Sequence, residues 1–243
     1  MSIAKPYPRI FLPQKGKGFD MSDTTCCSDS RYVDACEDSS LVNAARVIIK
    51  DYLTLIDYIE PTIANKDVFS HRTYELLLRV ATEFEANCKG ILQANGYAPH
   101  GNMSVVDYHK LNALMKLEQF ELETQLWSPS RTIKPLAEWS VGHSLTWYQA
   151  YNHSKHNRYT NFHEASLENL FNGICSLVVI LVAQFPDKIG FVSNGLTYYT
   201  NDGKVHLDNF SIKYPTFTDA ECYDFDWATL SASDPAPFEQ YAF

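Results

Sequence analysis

From Ser39 onward apolar residues recur at intervals of three and four: Leu41, Ala44, Ala45, Ile48, Tyr52, Leu55, Ile56 and Ile59, stopping before Pro61. That spacing puts one apolar face on a helix, and proline closes it. A second helix is predicted from near Ser70, with Leu77, Ala81, Phe84, Cys88 and Ile91 on one stripe. Gly96 is its expected stop, because a left-handed cap suits glycine. On its polar side Arg79 with Glu83, and Glu85 with Lys89, stand four apart and are predicted to pair across a turn.

Ser104 and Asp107 read as a capping box opening a short helix through Met115. The period then changes. Phe120, Leu122, Thr124 and Leu126 alternate with Glu121, Glu123 and Gln125, which predicts a strand. Residues 127–130 turn the chain towards a returning strand with Pro135 at an edge, so a small β insertion is expected at about 117–139. Helical spacing resumes from about 142 to 156. Asn161 and Glu164 are then expected to cap a last helix that reaches Phe185 and Pro186. The stripe of that helix, Leu167, Leu170, Phe171, Ile174, Leu177, Val178, Leu181 and Phe185, belongs in a core. Tyr198, Tyr199, Asn201, Asp202, Gly203 and Val205 read as a hairpin turning at Asp202 and Gly203. The expected class is mainly α: a helical bundle with a small β insertion and a β-hairpin or irregular C-terminal extension. Three parts are expected: a flexible arm over 1–38, a helical domain over 39–190, and the hairpin with an acidic extension over 191–243.

Composition narrows the function classes. The chain is 45% hydrophobic with 15 Tyr and 14 Phe, which a disordered protein lacks. No run approaches the roughly 18 apolar residues of a membrane span, and the best stretch, 174–183, is interrupted by Cys175 and Ser176. The basic start (Lys5, Arg9, Lys15, Lys17) is broken by Pro6, Pro8 and Pro13 and has no apolar core of a signal peptide. The 6 Cys are scattered without a CxxC pair, and the neighbours Cys26 and Cys27 are poorly placed to bridge. A cytoplasmic protein with reduced thiols is expected. A net charge of -9 argues against coating nucleic acid with the whole surface, so any such contact must be local. Beyond Pro215 there is no basic residue, while Asp219, Glu221, Asp224, Asp226, Asp234 and Glu239 accumulate as a docking or autoinhibitory candidate.

Chemistry concentrates in residues 151–163, which run Tyr151, Asn152, His153, Ser154, Lys155, His156, Asn157, Arg158, Tyr159, Thr160, Asn161, Phe162, His163. Arg158 is a permanent cation expected near the N-terminus of the last helix, an arrangement suited to phosphate. His163 is expected in the first turn of that helix, on the side of Leu167, Leu170 and Ile174, with its ring towards the buried stripe. Burial and the helix end would both favour the neutral imidazole, a form suited to a general base.

Arg158, four intervening residues and His163, with helices on both sides over roughly 40–186, resemble the signature of HEPN domains. The phrase Trp147, Tyr148, Tyr151, Asn152, Lys155, His156, Arg158 looks like a patch of uncharacterised HEPN-like proteins. The resemblance implies an all-helical bundle and metal-independent RNA cleavage at a composite site across a homodimer, in toxin, antiviral-defence or RNA-processing systems, where an antitoxin or other defence partner is expected. Arg158 would hold the phosphate and His163 would act as base. Asn152, Lys155, His156 and Tyr159 would bind substrate, and neither cofactor nor metal is implied. Tyr159 departs from the small polar residue that follows the arginine in many members.

Blander alternatives stand beside this one. His163 is a satisfied core residue, and Arg158 either a helix-end cation near the carbonyls of the preceding helix or a salt-bridge partner of Glu164 or Glu168. His153, His156 and His163 with Glu164 are an alternative metal set. Ser154 beside His153 lacks the glycine-flanked elbow of a nucleophile. Trp139, Trp147, Tyr148 and Tyr151 read as core, while Tyr159 and Phe162 are candidates to stack an unpaired base. A non-catalytic HEPN-like scaffold that binds a partner protein or nucleotide is the alternative function.

Overall fold

The computed structural model describes residues 3–16, 38–142, 144–185, 198–199, 204–207, 209–226, 229–230, 233 and 237–243. The expected turn at Asp202 and Gly203, and Cys26, Cys27 and Cys36, lie outside them. Four longer helices form the body: α1 (Asp38–Ile56), α2 (His71–Ala94), α5 (Thr146–His156) and α7 (Leu167–Val182). Two single-turn helices, α3 (Val105–Tyr108) and α4 (Asn112–Met115), follow α2, and a third, α6 (Arg158–Asn161), follows α5. The class is mainly α with a small β insertion, as the periodicity predicts.

The expected apolar stripe of α7 becomes the centre of the molecule. All ten residues from Gly173 to Val182 are buried, and α1, α2 and α5 pack around them. Gly173 lets α2 and α5 come close: a Cβ there would stand 3.0 Å from Val80 and 3.1 Å from Trp147. α2 starts with a capping box in which Ser70 Oγ accepts from Thr73 N (3.1 Å) while Ser70 N donates to Thr73 Oγ1 (2.7 Å). It ends at Asn95, followed by Gly96 at φ 75°, as expected. Lys89 pairs with Glu85 at 2.9 Å, but Arg79 reaches across to Asp51 of α1 instead of Glu83. An inter-helix carboxylate in reach displaces the weak same-helix pair.

The insertion forms β1 (Glu121–Thr124) and β2 (Arg131–Ile133), paired antiparallel with Leu122 opposite Ile133. β1 also pairs with a strand from the C-terminal extension. With β3 (Tyr198–Tyr199), β4 (Lys204–Leu207) and β5 (Phe210–Lys213), the sheet runs β2-β1-β5-β4-β3, antiparallel throughout. Leu122 and Thr124 on β1 and Phe210 and Ile212 on β5 are buried, whereas Glu123 and Lys213 are exposed. The insertion and the extension therefore share one sheet.

Two expectations on boundaries are corrected. The helix predicted from 142 begins at Thr146, because residues Ala137–Val141 form a 3-10 turn ending at Gly142 with φ 71°. Glu138 from that turn accepts from Thr146 N at 2.8 Å and so starts α5 from upstream. The loose arm is, over residues 3–16, packed: Ile10 and Leu12 are fully buried. Tyr223 from the acidic extension holds it, accepting from Tyr7 N (3.0 Å) and donating to the Ile10 carbonyl (2.8 Å). Among the described residues no helix is long and apolar enough to cross a membrane.

Candidate functional site

Residues 151–163 do not continue one helix into the next. α5 ends at His156, where Asn157 (φ -143°) turns the chain into α6. A 3-10 turn, Phe162–Glu164, follows, and only then does Ser166 cap α7 by accepting from Asn169 N at 3.3 Å. Asn161 and Glu164 are not the cap. A seryl oxygen directly before Leu167 meets the free N–H groups of the first turn, which Asn161 is too far upstream to do.

This break corrects two further expectations. His163 lies in the 3-10 turn, outside α7, and is exposed rather than aimed at the buried stripe. A helical phase extrapolates only while the backbone stays helical, and Ala165 (ψ 49°) interrupts it. Arg158 opens a helix of four residues just past the end of α5, not the first turn of α7, so the expected pairing with the α7 N-terminus is not the one formed. The His163 ring has no hydrogen-bond or ion-pair partner among the described residues.

The segment instead lies across the first turn of α2. Phe162 packs its ring against Phe69, His71 and Tyr74 at centroid distances of 5.3, 4.9 and 5.8 Å. The Arg158 guanidinium stands 5.8 Å from the Tyr74 ring centroid. The carboxylates considered as its partners are engaged elsewhere: Glu164 meets His153 Nδ1 at 2.9 Å, and Glu168 holds Arg131 through two bonds of 2.6 and 2.8 Å. Tyr159 projects outward, 98% exposed. His156 and Lys155 are exposed, with Lys155 Nζ donating to the Tyr151 hydroxyl at 2.9 Å, and Asn152 is half-buried. Arg158, Tyr159, His163, Lys155 and His156 thus share access to solvent on one short stretch of chain, and Asn152 sits lower on the same helix.

Other readings of the segment meet direct obstacles. Ser154 is fully buried and donates to the Ala150 carbonyl at 2.7 Å, which removes it as a nucleophile. His153 and Glu164 meet, but no group of three His, Cys, Asp or Glu is placed to hold a metal ion among the described residues. Trp139, Trp147, Tyr148 and Tyr151 are buried, as expected of core residues. Phe162 is engaged by its α2 neighbours, which leaves Tyr159 as the ring open to a base.

Two polar clusters were not legible from the segment itself. On the α2 side, Glu85 accepts from both Lys89 Nζ and the Tyr148 hydroxyl at 2.9 Å. Burial, reinforced by the Glu85 charge, pushes the Tyr148 hydroxyl well up, and burial pushes Tyr108 up to about 12. On the sheet side, Arg131 lies 4.5 Å from the Trp127 ring centroid while holding Glu168. A concavity of about 370 Å³ between α1 and α2, lined by Ala44, Val47, Ile48, Leu78, Arg79, Thr82 and Glu83, contains no residue of the 151–163 segment. No family model, curated protein or solved structure matches this chain.

Proposed function

We propose that the chain is a cytoplasmic, metal-independent endoribonuclease of the HEPN type, working as a homodimer in a toxin or antiviral-defence setting. The observation that carries this reading is that Arg158 and His163 both face solvent, Arg158 backed by an aromatic ring and His163 with no partner among the described residues. Both are accessible to a ligand: the Arg158 guanidinium reaches solvent over Tyr74, and the His163 ring is exposed. Imidazole is the side chain best suited to proton transfer near neutral pH. In the proposed step His163 takes the proton of a ribose 2′-hydroxyl, and that oxygen attacks the adjacent phosphorus. The bond to the 5′-oxygen breaks, leaving a 2′,3′-cyclic phosphate and a 5′-hydroxyl that takes up a proton. Arg158 neutralises the phosphate oxygens, and Lys155, His156, Asn152 and Tyr159 form the surrounding contact surface. A second copy bringing another Arg158 and His163 would give the open surface the enclosure it lacks alone.

The test is incubation of the protein with total RNA in excess chelator, alongside His163→Ala and Arg158→Ala, with analysis of product ends. Cyclic-phosphate ends from the parent and none from His163→Ala support the reading. RNA left intact by all three, with or without added metal, overturns it. The scaffold alternative rests on exposed Phe69 and Tyr159, at 45% and 98% exposure, which suit a protein partner. It becomes the better account if no RNA is cut and the variants lose a common partner.

A further inference from the structure

Beyond the segment itself, cations are set along the line where α5 meets α2. On α5, Tyr148, Tyr151 and Lys155 fall on one stripe by helical spacing; on α2, Tyr74, Glu85 and Lys89 do the same. The facing stripes touch. The Tyr148 hydroxyl donates to Glu85, Lys155 senses the charges of both Glu85 and Lys89, and Arg158, just past α5, stands over Tyr74. The helices run antiparallel here, so residues 148 and 158 meet α2 at residues 85 and 74. On the unbroken α2, the eleven residues of helical rise from Tyr74 to Glu85 make this seam roughly 16 Å long.

Each cation leans on a tyrosine. Lys89 lies 5.9 Å from the Tyr108 ring centroid, Lys155 bonds the Tyr151 hydroxyl, and Arg158 stands 5.8 Å from the Tyr74 centroid. Tyr108 and Tyr151 are buried, forming a floor, whereas Lys155 and Arg158 are exposed and Lys89 is partly so. Stems held on rings restrict the charged tips, so less freedom is lost when they take a ligand. Within the seam Glu85 is the opposing charge, bonded to Lys89 at 2.9 Å.

We propose that this seam is an RNA-backbone track leading to the Arg158–His163 surface, with Lys155 and Lys89 as additional phosphate contacts and Glu85 as a built-in brake on affinity. The inference rests on the proposed nuclease reading and extends it from two residues to a surface. A row of cations suits a strand of regularly spaced phosphates better than one small anion. On a chain of net charge -9 such a row gives the local attraction that the overall surface denies. Glu85 occupies Lys89 until a phosphate competes for it, which disfavours weak, indiscriminate contacts.

The experiment measures binding of a short unstructured RNA to the full chain across a salt series, using His163→Ala to prevent turnover, with Lys155→Gln, Lys89→Gln and Glu85→Gln added singly and circular dichroism as the fold check. Removing one phosphate contact on a single strand lowers the slope of log affinity against log salt by about 0.7. Lys155→Gln and Lys89→Gln are expected to flatten the slope by about that amount each. Glu85→Gln, which keeps an acceptor for Tyr148, is expected to tighten binding several-fold and steepen the slope. That gain does not arise from a misfolded variant. Unchanged slopes in all three variants overturn the track even if the parent protein cleaves RNA. Slopes that change as expected while the parent protein never cuts RNA support the track and overturn the nuclease. Binding to polyglutamate with the same lysine dependence, and no binding to RNA, overturns the track in favour of an acidic protein partner.

Discussion

Arg9 lies against Gly90 so closely that a Cβ built on the glycine would stand 1.7 Å from a guanidinium nitrogen. The guanidinium is buried there and donates to Gln184 Oε1 at 2.9 and 2.6 Å, while Gln184 Nε2 donates to Asn87 Oδ1 at 3.0 Å. Arg9 itself sits at φ 59°.

Gly90→Ala is therefore expected to destabilise the protein by about 1–3 kcal/mol, although alanine is the better helix former. In an Arg9→Gly background, which removes the side chain and suits the backbone, the same substitution should stabilise by up to about 1 kcal/mol. Urea midpoints for the four proteins of this cycle supply the test, and the sign reversal is the diagnostic outcome.

Ser166→Ala should cost about 1 kcal/mol by removing the cap of α7. Asn161→Ala should cost less than half as much, since Asn161 ends α6 and makes only a 3.3 Å bond to the His153 carbonyl. Thermal melts of the two variants distinguish the observed start of α7 from the one its sequence suggests.

These cases mark where local pattern stops. The stripe of α7 was legible because every position from Leu167 to Leu181 follows one helical period, and tertiary packing agrees with it. The single-turn helix at Arg158 and the turn at His163 were not, because a few residues carry too little period to separate a helix from a bend. Tyr74 and Phe69, which receive Arg158 and Phe162, lie more than eighty residues upstream, and nothing near the segment points to them. The same holds for β5, which is not among the strands expected from the sequence: four residues carry little period, and nothing near them points to the partner β1. The polar density of residues 151–163 was legible; the exposure of His163 and the helix ends around it were not.

Arg131→Ala should destabilise by about 2–3 kcal/mol, because it leaves the partly buried Glu168 carboxylate without its cation and uncovers Trp127. Adding Glu168→Gln to that variant should recover part of the loss. Guanidinium titrations with unchanged m-values would establish both effects as changes in stability.

Acid sensitivity should follow from the same pair. Burial alone would raise the Glu168 carboxyl, but the Arg131 guanidinium more than offsets it and holds the group below its ordinary 4.5. Glu221 is drawn down to about 2 by its bonds from Lys116 and the Thr218 backbone. Both groups release protons more readily when folded, so their contribution is complete above pH 4.5 and is lost as pH falls through the folded values, for Glu221 down to about 2. Stability measured from pH 5 to pH 2 should fall in the parent protein and less steeply in Glu168→Gln and in Glu221→Gln, with exposure reducing the Glu221 contribution below what its shift alone implies.

Tyr223 binds the backbone of Tyr7 and Ile10 across more than two hundred residues. During synthesis residues 3–16 precede this partner by more than two hundred residues. The helices built on local contacts can form early in synthesis, whereas this closure waits until Tyr223 has been made. Chains halted before Tyr223 should therefore leave residues 3–16 more open to protease than chains extended well past it.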